Sequence, residues 1–202
     1  MLRLTAIQTN GATSELKRLR LKEVPNFFHL LANSPASLRA YIRADAALVR
    51  GQLTRRQRQQ VALAVAEMNG SSYSLSAHYD AGKSLGLTHQ EMQLARNATA
   101  ADPKAATMLR FTQAVVLQRG EISDDDFQAL RKAGFSDAHI VEIVANIALN
   151  IFSNYFNSVA KTEVDFPLLQ PGADAPRLGI ARSKIRPTTL RVRSPKPQLN
   201  GK

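Results

Sequence analysis

From Asn69 to His78 the chain reads Asn69-Gly70-Ser71-Ser72-Tyr73-Ser74-Leu75-Ser76-Ala77-His78. Asn-Gly ends one helix, and the serines that follow open another. At about 100° per residue, positions 71, 74 and 78 share one side of that second helix. Two hydroxyls and an imidazole are thereby gathered near a helix start, as a nucleophile, its partner and a proton carrier require. The chain has no cysteine, so the two positions best placed for a reactive thiol pair carry hydroxyls instead.

Outward from this stretch, helix punctuation is frequent and strand signals are nearly absent. A first helix is expected over 14–23, broken by Pro25, followed by a short apolar turn of helix from Asn26 to Asn33. Ser34-Pro35 combines an N-cap with a first-turn proline and opens a helix to about Arg50. Leu38, Tyr41, Ile42, Ala46 and Val49 are expected on its buried face. Thr54 caps a helix from Arg55 to Met68, and the motif helix runs from about Ser71 to Leu85, stopped by Gly86. Thr88 and Glu91 form a capping box for the next. Asp102-Pro103 starts a helix to Gly120, Ser123 one to Gly134, and Ser136 the last and longest, to about Lys161. The fold class is all-α, with about eight helices joined by short loops.

The last helix is apolar over most of its circumference, so it is expected to be buried on nearly all sides. Glu142 and four asparagines argue against a membrane span. Asn146, Asn150, Asn154 and Asn157 form one polar stripe along it. Such a stripe is either a hydrogen-bond ladder holding two helices or two subunits in register, or the lining of a polar cleft.

A hydrophobic content of 44% supports a genuine core. Residues 1–170 read as one helical domain and 171–202 as a basic, proline-rich appendage. The appendage holds Arg177, Arg182, Lys184, Arg186, Arg191, Arg193, Lys196 and Lys202 against the single acid Asp174, most of the chain's net +11. It is expected to be a disordered, solvated tail. Nucleic-acid contact through it is the competing reading, disfavoured because no aromatic is interleaved for base stacking. The absence of cysteine excludes disulfides, thiol catalysis and thiolate metal sites supplied by this chain. Met1-Leu2-Arg3-Leu4-Thr5 shows no export signal, so a cytoplasmic protein without a membrane partner is expected.

The run Gln59-Gln60-Val61-Ala62-Leu63-Ala64-Val65-Ala66-Glu67-Met68-Asn69-Gly70, followed by Ser-x-x-Ser-x-x-x-His, resembles the carboxymuconolactone decarboxylase/AhpD-like alkylhydroperoxidase family. Three further segments resemble its peroxidase-related branch: Val24-Pro25-Asn26-Phe27-Phe28, Asp102-Pro103-Lys104-Ala105-Ala106, and Asn150-Ile151-Phe152-Ser153-Asn154-Tyr155-Phe156-Asn157 with Thr162-Glu163-Val164-Asp165-Phe166-Pro167. In that family a Cys-x-x-Cys-x-x-x-His center reduces peroxides, aided by an upstream glutamate. The second cysteine is the thiolate that peroxide oxidises, and the first resolves it as a disulfide. The chemistry uses a thiol whose pKa is lowered by a helix N-terminus, with a second thiol within reach. By the resemblance, these cysteines fall on Ser71 and Ser74, the histidine on His78 and the glutamate on Gln59. A further family histidine falls on Ser158.

Serine cannot form the sulfenic acid and disulfide of that cycle, and Gln59 has no base to offer. Four coordinated changes fit loss or repurposing of a site. The expected protein is therefore an AhpD-like chain inactive as a thiol peroxidase, keeping a polar pocket for an unidentified small molecule. Glu67, Tyr73, Asn150, Asn154 and Ser158 are its candidate lining, with Glu67 equally readable as a cap or ion-pair partner. One alternative is a Ser/His enzyme of hydrolase or lactone-acting type, using Ser74 and His78 at i, i+4. Another is an oligomeric binding or scaffold protein using the basic tail. His29, His89 and His139 are isolated, so no metal and no cofactor is expected. The resemblance implies a homo-oligomer (dimer, trimer or hexamer) with the last helix in or near the interface.

Overall fold

The polypeptide alternates capped helices with short turns, and a computed structural model describes residues 2–7, 16 and 23–172 of it. Eight helices and no strand occur among the described residues: α1 (Asn26–Leu31), α2 (Pro35–Leu48), α3 (Arg55–Met68), α4 (Ser72–Ser84), α5 (His89–Arg96), α6 (Pro103–Leu117), α7 (Asp124–Lys132) and α8 (Asp137–Ala160). The expected first helix, 14–23, lies outside the described residues except for Leu16, which is buried, and Glu23. The expected tail likewise lies outside them beyond Gly172.

The caps are made by the residues that announce them. Ser34, Thr54, Ser71, Thr88, Asp102, Ser123 and Ser136 each accept a hydrogen bond from a first-turn backbone N–H, and reciprocal capping boxes form at Thr54, Thr88 and Ser136. Two helices stop earlier than their punctuation: α2 at Leu48 and α6 at Leu117.

Helix α3 is the hub. Every residue from Gln60 to Ala66 is buried, and α3 packs against α4, α5, α6 and α8. Its alanines let neighbours approach while Val61, Leu63 and Val65 fill the space between. Leu75 and Tyr79 from α4, Met92 from α5, Met108, Leu109 and Phe111 from α6, and Ile143 and Ile147 from α8 complete this main core. A second cluster gathers Phe27 and Leu31 from α1, Leu38 from α2 and Tyr73 from α4. Rings pack edge to face within it, with Phe27 4.9 Å from Tyr41 and 5.6 Å from Phe156.

The turn from α3 to α4 sets where the motif helix begins. Ser71 N–H donates to the Ala66 carbonyl (3.0 Å) and Gly70 N–H to that of Glu67 (3.1 Å), a Schellman closure that places Gly70 at φ +64°. A side chain there would meet no neighbour but would strain the left-handed backbone.

Glu67 closes the same corner as an ion-pair partner. It meets Arg96 Nε at 2.8 Å, with both side chains almost fully enclosed, and accepts from the backbone N–H of Gly172 at 2.5 Å. Arg96 also donates to the Gln170 carbonyl. The segment after α8 is thereby strapped across α4, where Leu169 N–H donates to Ser76 Oγ and Asp165 accepts from the Asn26 N–H.

Two sequence expectations need correction. On α2, Ala46 is exposed and Val49 lies past the helix end, 41% exposed, because only the first half of that helix reaches the second core. On α8, the helix is not enclosed on nearly all sides within one chain. Val141, Tyr155 and Val159 are 68%, 58% and 65% exposed, and Val144 and Phe152 are also open. Its packing partners α2, α3, α4 and α6 all lie against its other face.

Replacing Arg96 with Leu strands the Glu67 carboxylate in a dry corner. A loss of about 3–5 kcal/mol of unfolding free energy is expected in urea denaturation; an unchanged midpoint would show that the pair contributes nothing.

Candidate functional site

Ser71 is the N-cap of α4, and its Oγ accepts from the Ser74 backbone N–H at 3.4 Å. The two hydroxyls are 3.1 Å apart, Ser71 donating to Ser74, and both residues are buried. Asn157 of α8 donates its amide to Ser74 Oγ at 3.3 Å. One turn on, His78 Nδ1 stands 3.0 Å from Gln59 Oε1 on α3, and the Asn150 side chain bonds the imidazole from α8. Three helices thus converge on the motif.

Burial pushes the His78 pKa down to about 4, and the Arg58 guanidinium lowers it further, while the Asn150 hydrogen bond works in the opposite direction. The imidazole is therefore neutral at pH 7. A glutamate at position 59 would supply the negative charge that favours imidazolium; the Gln59 amide does not. An amide can turn over and serve a neutral ring equally well, which a carboxylate cannot.

Ser74 and His78 share no hydrogen bond among the described residues. Ser74 is engaged by Ser71 and Asn157, and His78 by two amides with no carboxylate to orient it. A Ser/His nucleophilic pair needs that contact and that orienting acid.

Two cavities meet at His78 and Tyr41, which line both. A small chamber of about 120 Å³ lies over Ser74, walled by Phe27, Phe28, Tyr73, Ser153, Asn157 and Phe166. Its phenols are not acids: burial pushes the pKa values of both Tyr41 and Tyr73 far up. Tyr73 instead accepts from the Phe27 N–H at 3.0 Å. The larger cavity, about 570 Å³, opens outward between α2, α3, α4 and α8 past Gln59, Asn146 and Asn150. Arg58 projects into it, donating through Nε to Asn146 Oδ1 (3.1 Å) and through Nη2 to Asp45 (2.7 Å). Arg55 stands exposed on the same wall.

The remaining sequence candidates are dispersed. Glu67 lies in the ion pair with Arg96 and borders neither cavity. Ser158 is exposed beside a separate surface hollow that also borders Ser71 and Ser72. Asn154 is fully buried, with neither amide atom hydrogen-bonded among the described residues. Within the stripe, Asn146 and Asn150 donate to carbonyls of their own helix, those of Glu142 and Asn146. Cross-helix bonding runs from Asn150 to His78, from Arg58 to Asn146 and from Asn157 to Ser74. No group of three His, Asp or Glu side chains is placed to hold a metal among the described residues, and no single helix there is long and apolar enough to cross a membrane.

Sequence reasoning missed Arg58, Asp45 and the full part played by Tyr41. Arg55-Arg56-Gln57-Arg58 reads as a solvated helix start, and the turn toward Asp45 and Asn146 depends on neighbours 13 and 88 positions away.

Residues 35–116, from the start of α2 to the end of α6, match the carboxymuconolactone decarboxylase family and include Gln59, Ser71, Ser74 and His78. A peroxidase-related protein from Silicibacter sp. TM1040 is 25% identical, with a TM-score of 0.67 over 74% of this chain and 81% of that one. Residues 35–116 thus form a carboxymuconolactone decarboxylase family region, set in a fold shared with AhpD-like peroxidase-related proteins. The fold recurs in a peroxidase-related protein with an AhpD core from Ralstonia eutropha JMP134, at 23% identity, 81% and 92% coverage and a TM-score of 0.74. It recurs again in the debrominase Bmp8 in complex with 2,3,4-tribromopyrrole, at 15% identity, 82% and 92% coverage and a TM-score of 0.70. No curated protein matches the sequence.

Because the His78 pKa is lowered on folding, the unfolded chain takes up a proton near pH 6.5 while the native one does so only near pH 4. The stability contributed by keeping His78 neutral is full above about pH 6.5 and declines as the pH falls toward 4. NMR titration should find His78 neutral at pH 5.5, and Gln59→Glu should move its midpoint upward. A wild-type midpoint at 6.5 would contradict the burial argument.

Proposed function

We propose that this chain binds a small molecule at the convergence of α3, α4 and α8 and does not turn over peroxides by thiol chemistry. The observation that carries the reading is the Ser71–Ser74 pair. By the family resemblance it stands where the redox thiols would be, held by hydrogen bonds and lacking any atom that peroxide can oxidise and a reductant restore. Peroxide reduction needs an oxygen transferred to sulfur, water released, and two electrons returned through a disulfide. A serine hydroxyl accepts none of these steps. The loss extends to the relay, since Gln59 faces His78 where a base would stand.

What persists is a cavity with an aromatic inner chamber and a polar outer vestibule, both bordered by His78. The tribromopyrrole held by Bmp8 supports the view that this fold accommodates small ring compounds.

The pure chain, assayed with an organic hydroperoxide and a dithiol reductant, is expected to show no turnover above the buffer rate. The Ser71→Cys, Ser74→Cys, Gln59→Glu variant is expected to gain it. Turnover by the cysteine-free wild type would overturn the reading.

The open apolar stripe of α8, Val141, Val144, Tyr155 and Val159, further supports a homo-oligomer, because so many exposed apolar side chains on one helix favour burial against a second copy. Light scattering should give a multiple of the 22.2 kDa chain mass, and Val141→Lys with Val159→Lys should reduce it to the monomer. A monomeric wild type would remove this part of the proposal.

A further inference from the structure

The outer cavity carries cationic hydrogen-bonding capacity that the protein leaves unused. Of the five N–H groups of Arg58, one at Nε reaches Asn146 and one at Nη2 reaches Asp45. The other three have no partner among the described residues, although the side chain is only 16% exposed. These donors open onto the cavity, and a carboxylate is their best complement. Arg55, on the same wall and one helical turn before Gln59, carries a second guanidinium with no partner among the described residues. Among the described residues Asp45 is the only acid lining this cavity, and it is matched one to one by Arg58. His78 is neutral, so the cavity is left with a net charge of about +1 from Arg55, Arg58 and Asp45.

The rest of the wall is mixed: Gln59, Ser84, Asn146 and Asn150 are polar, and an apolar strip runs beside them. Val49, Ala62, Ala81, Leu85 and Leu149 face the same space. Its volume, about 570 Å³, lies within the range of small-molecule sites and exceeds what an inorganic anion needs. The arginines therefore suit an anion and the apolar strip a hydrocarbon body.

We infer that the outer cavity binds an amphipathic organic monocarboxylate, its carboxylate on Arg58 and Arg55 and its apolar body along the Ala62–Leu149 wall. This rests on the reading that the site holds a ligand instead of cycling peroxide. Arg58 is the principal contact; Arg55 closes the mouth and adds attraction that salt screens. An anion beside Arg58 also offsets the positive charge that disfavours protonation of His78, so binding reports itself at the imidazole.

Titration calorimetry of the full-length protein with octanoate at pH 7 and low salt tests this, with acetate and octanol as controls. Octanoate is expected to bind one per chain. Acetate lacks the apolar body and octanol the charge, and each is expected to bind at least about tenfold more weakly. Arg55→Gln, at an exposed position, should weaken octanoate several-fold without affecting folding, and Arg58→Gln should weaken it more. By NMR, saturating octanoate should raise the His78 pKa. Octanol binding as tightly as octanoate, affinity unchanged in both arginine variants, or no octanoate binding would each overturn the inference. The outcomes separate from those of the hydroperoxide assay. No octanoate binding with a silent assay rejects only the ligand class. Peroxide turnover by the wild type rejects the underlying reading whatever octanoate does.

Discussion

A single helix enclosed on every side imposes most of the architecture. With Gln60 to Ala66 all removed from solvent, α3 cannot exist without α4, α5, α6 and α8 around it. Apolar burial is non-directional, but the alternation of alanine with valine and leucine is not. Small residues let the surrounding helices come close, and branched ones fill the grooves between them. Because α3 also carries Arg58 and Gln59 at its N-terminal end and Glu67 at its C-terminal end, the same packing sets the position of the cavity wall and of the buried ion pair.

From that hub the motif helix inherits its place. The Schellman turn at Gly70 releases the chain directly into the Ser71 N-cap, so α4 starts where α3 stops and lies along it. Helix α8 closes the third side, bringing Asn150 to His78 and Asn157 to Ser74. The result is a network made of hydroxyls, amides and one neutral imidazole. Such groups carry no net charge, which suits burial. The formal charge near the site is displaced outward onto Arg55, Arg58 and Asp45. The inner chamber is consequently aromatic and uncharged, while the outer cavity is cationic and half apolar. That division separates a region able to hold a ring from one able to hold an anion.

Much of the fold was legible from local signals. Ser34-Pro35, Thr54, Thr88, Asp102-Pro103, Ser123 and Ser136 each mark a helix start, because capping is a contact within one turn and needs no knowledge of the rest of the chain. The spacing of Ser71, Ser74 and His78 likewise predicted that they share a helix side. Legibility failed where a residue's role depends on what packs against it. The apolar circumference of α8 suggested enclosure, yet the described helices cover one face only. The same ambiguity attached to Glu67, which reads as pocket lining, cap or ion-pair partner until Arg96, 29 positions on, is brought beside it.

By itself the sequence determined the helical class, the helix starts, the family resemblance and the absence of any sulfur that could cycle between oxidation states. Those depend on residue identity and on spacing within a turn or two. Only the tertiary structure decided that Gln59 and Asn150 flank His78, that Arg58 keeps spare donors in a cavity, and that the asparagine stripe bonds partly to its own helix. Each of these joins positions far apart along the chain, and helical periodicity carries no information about which distant side chain will stand opposite.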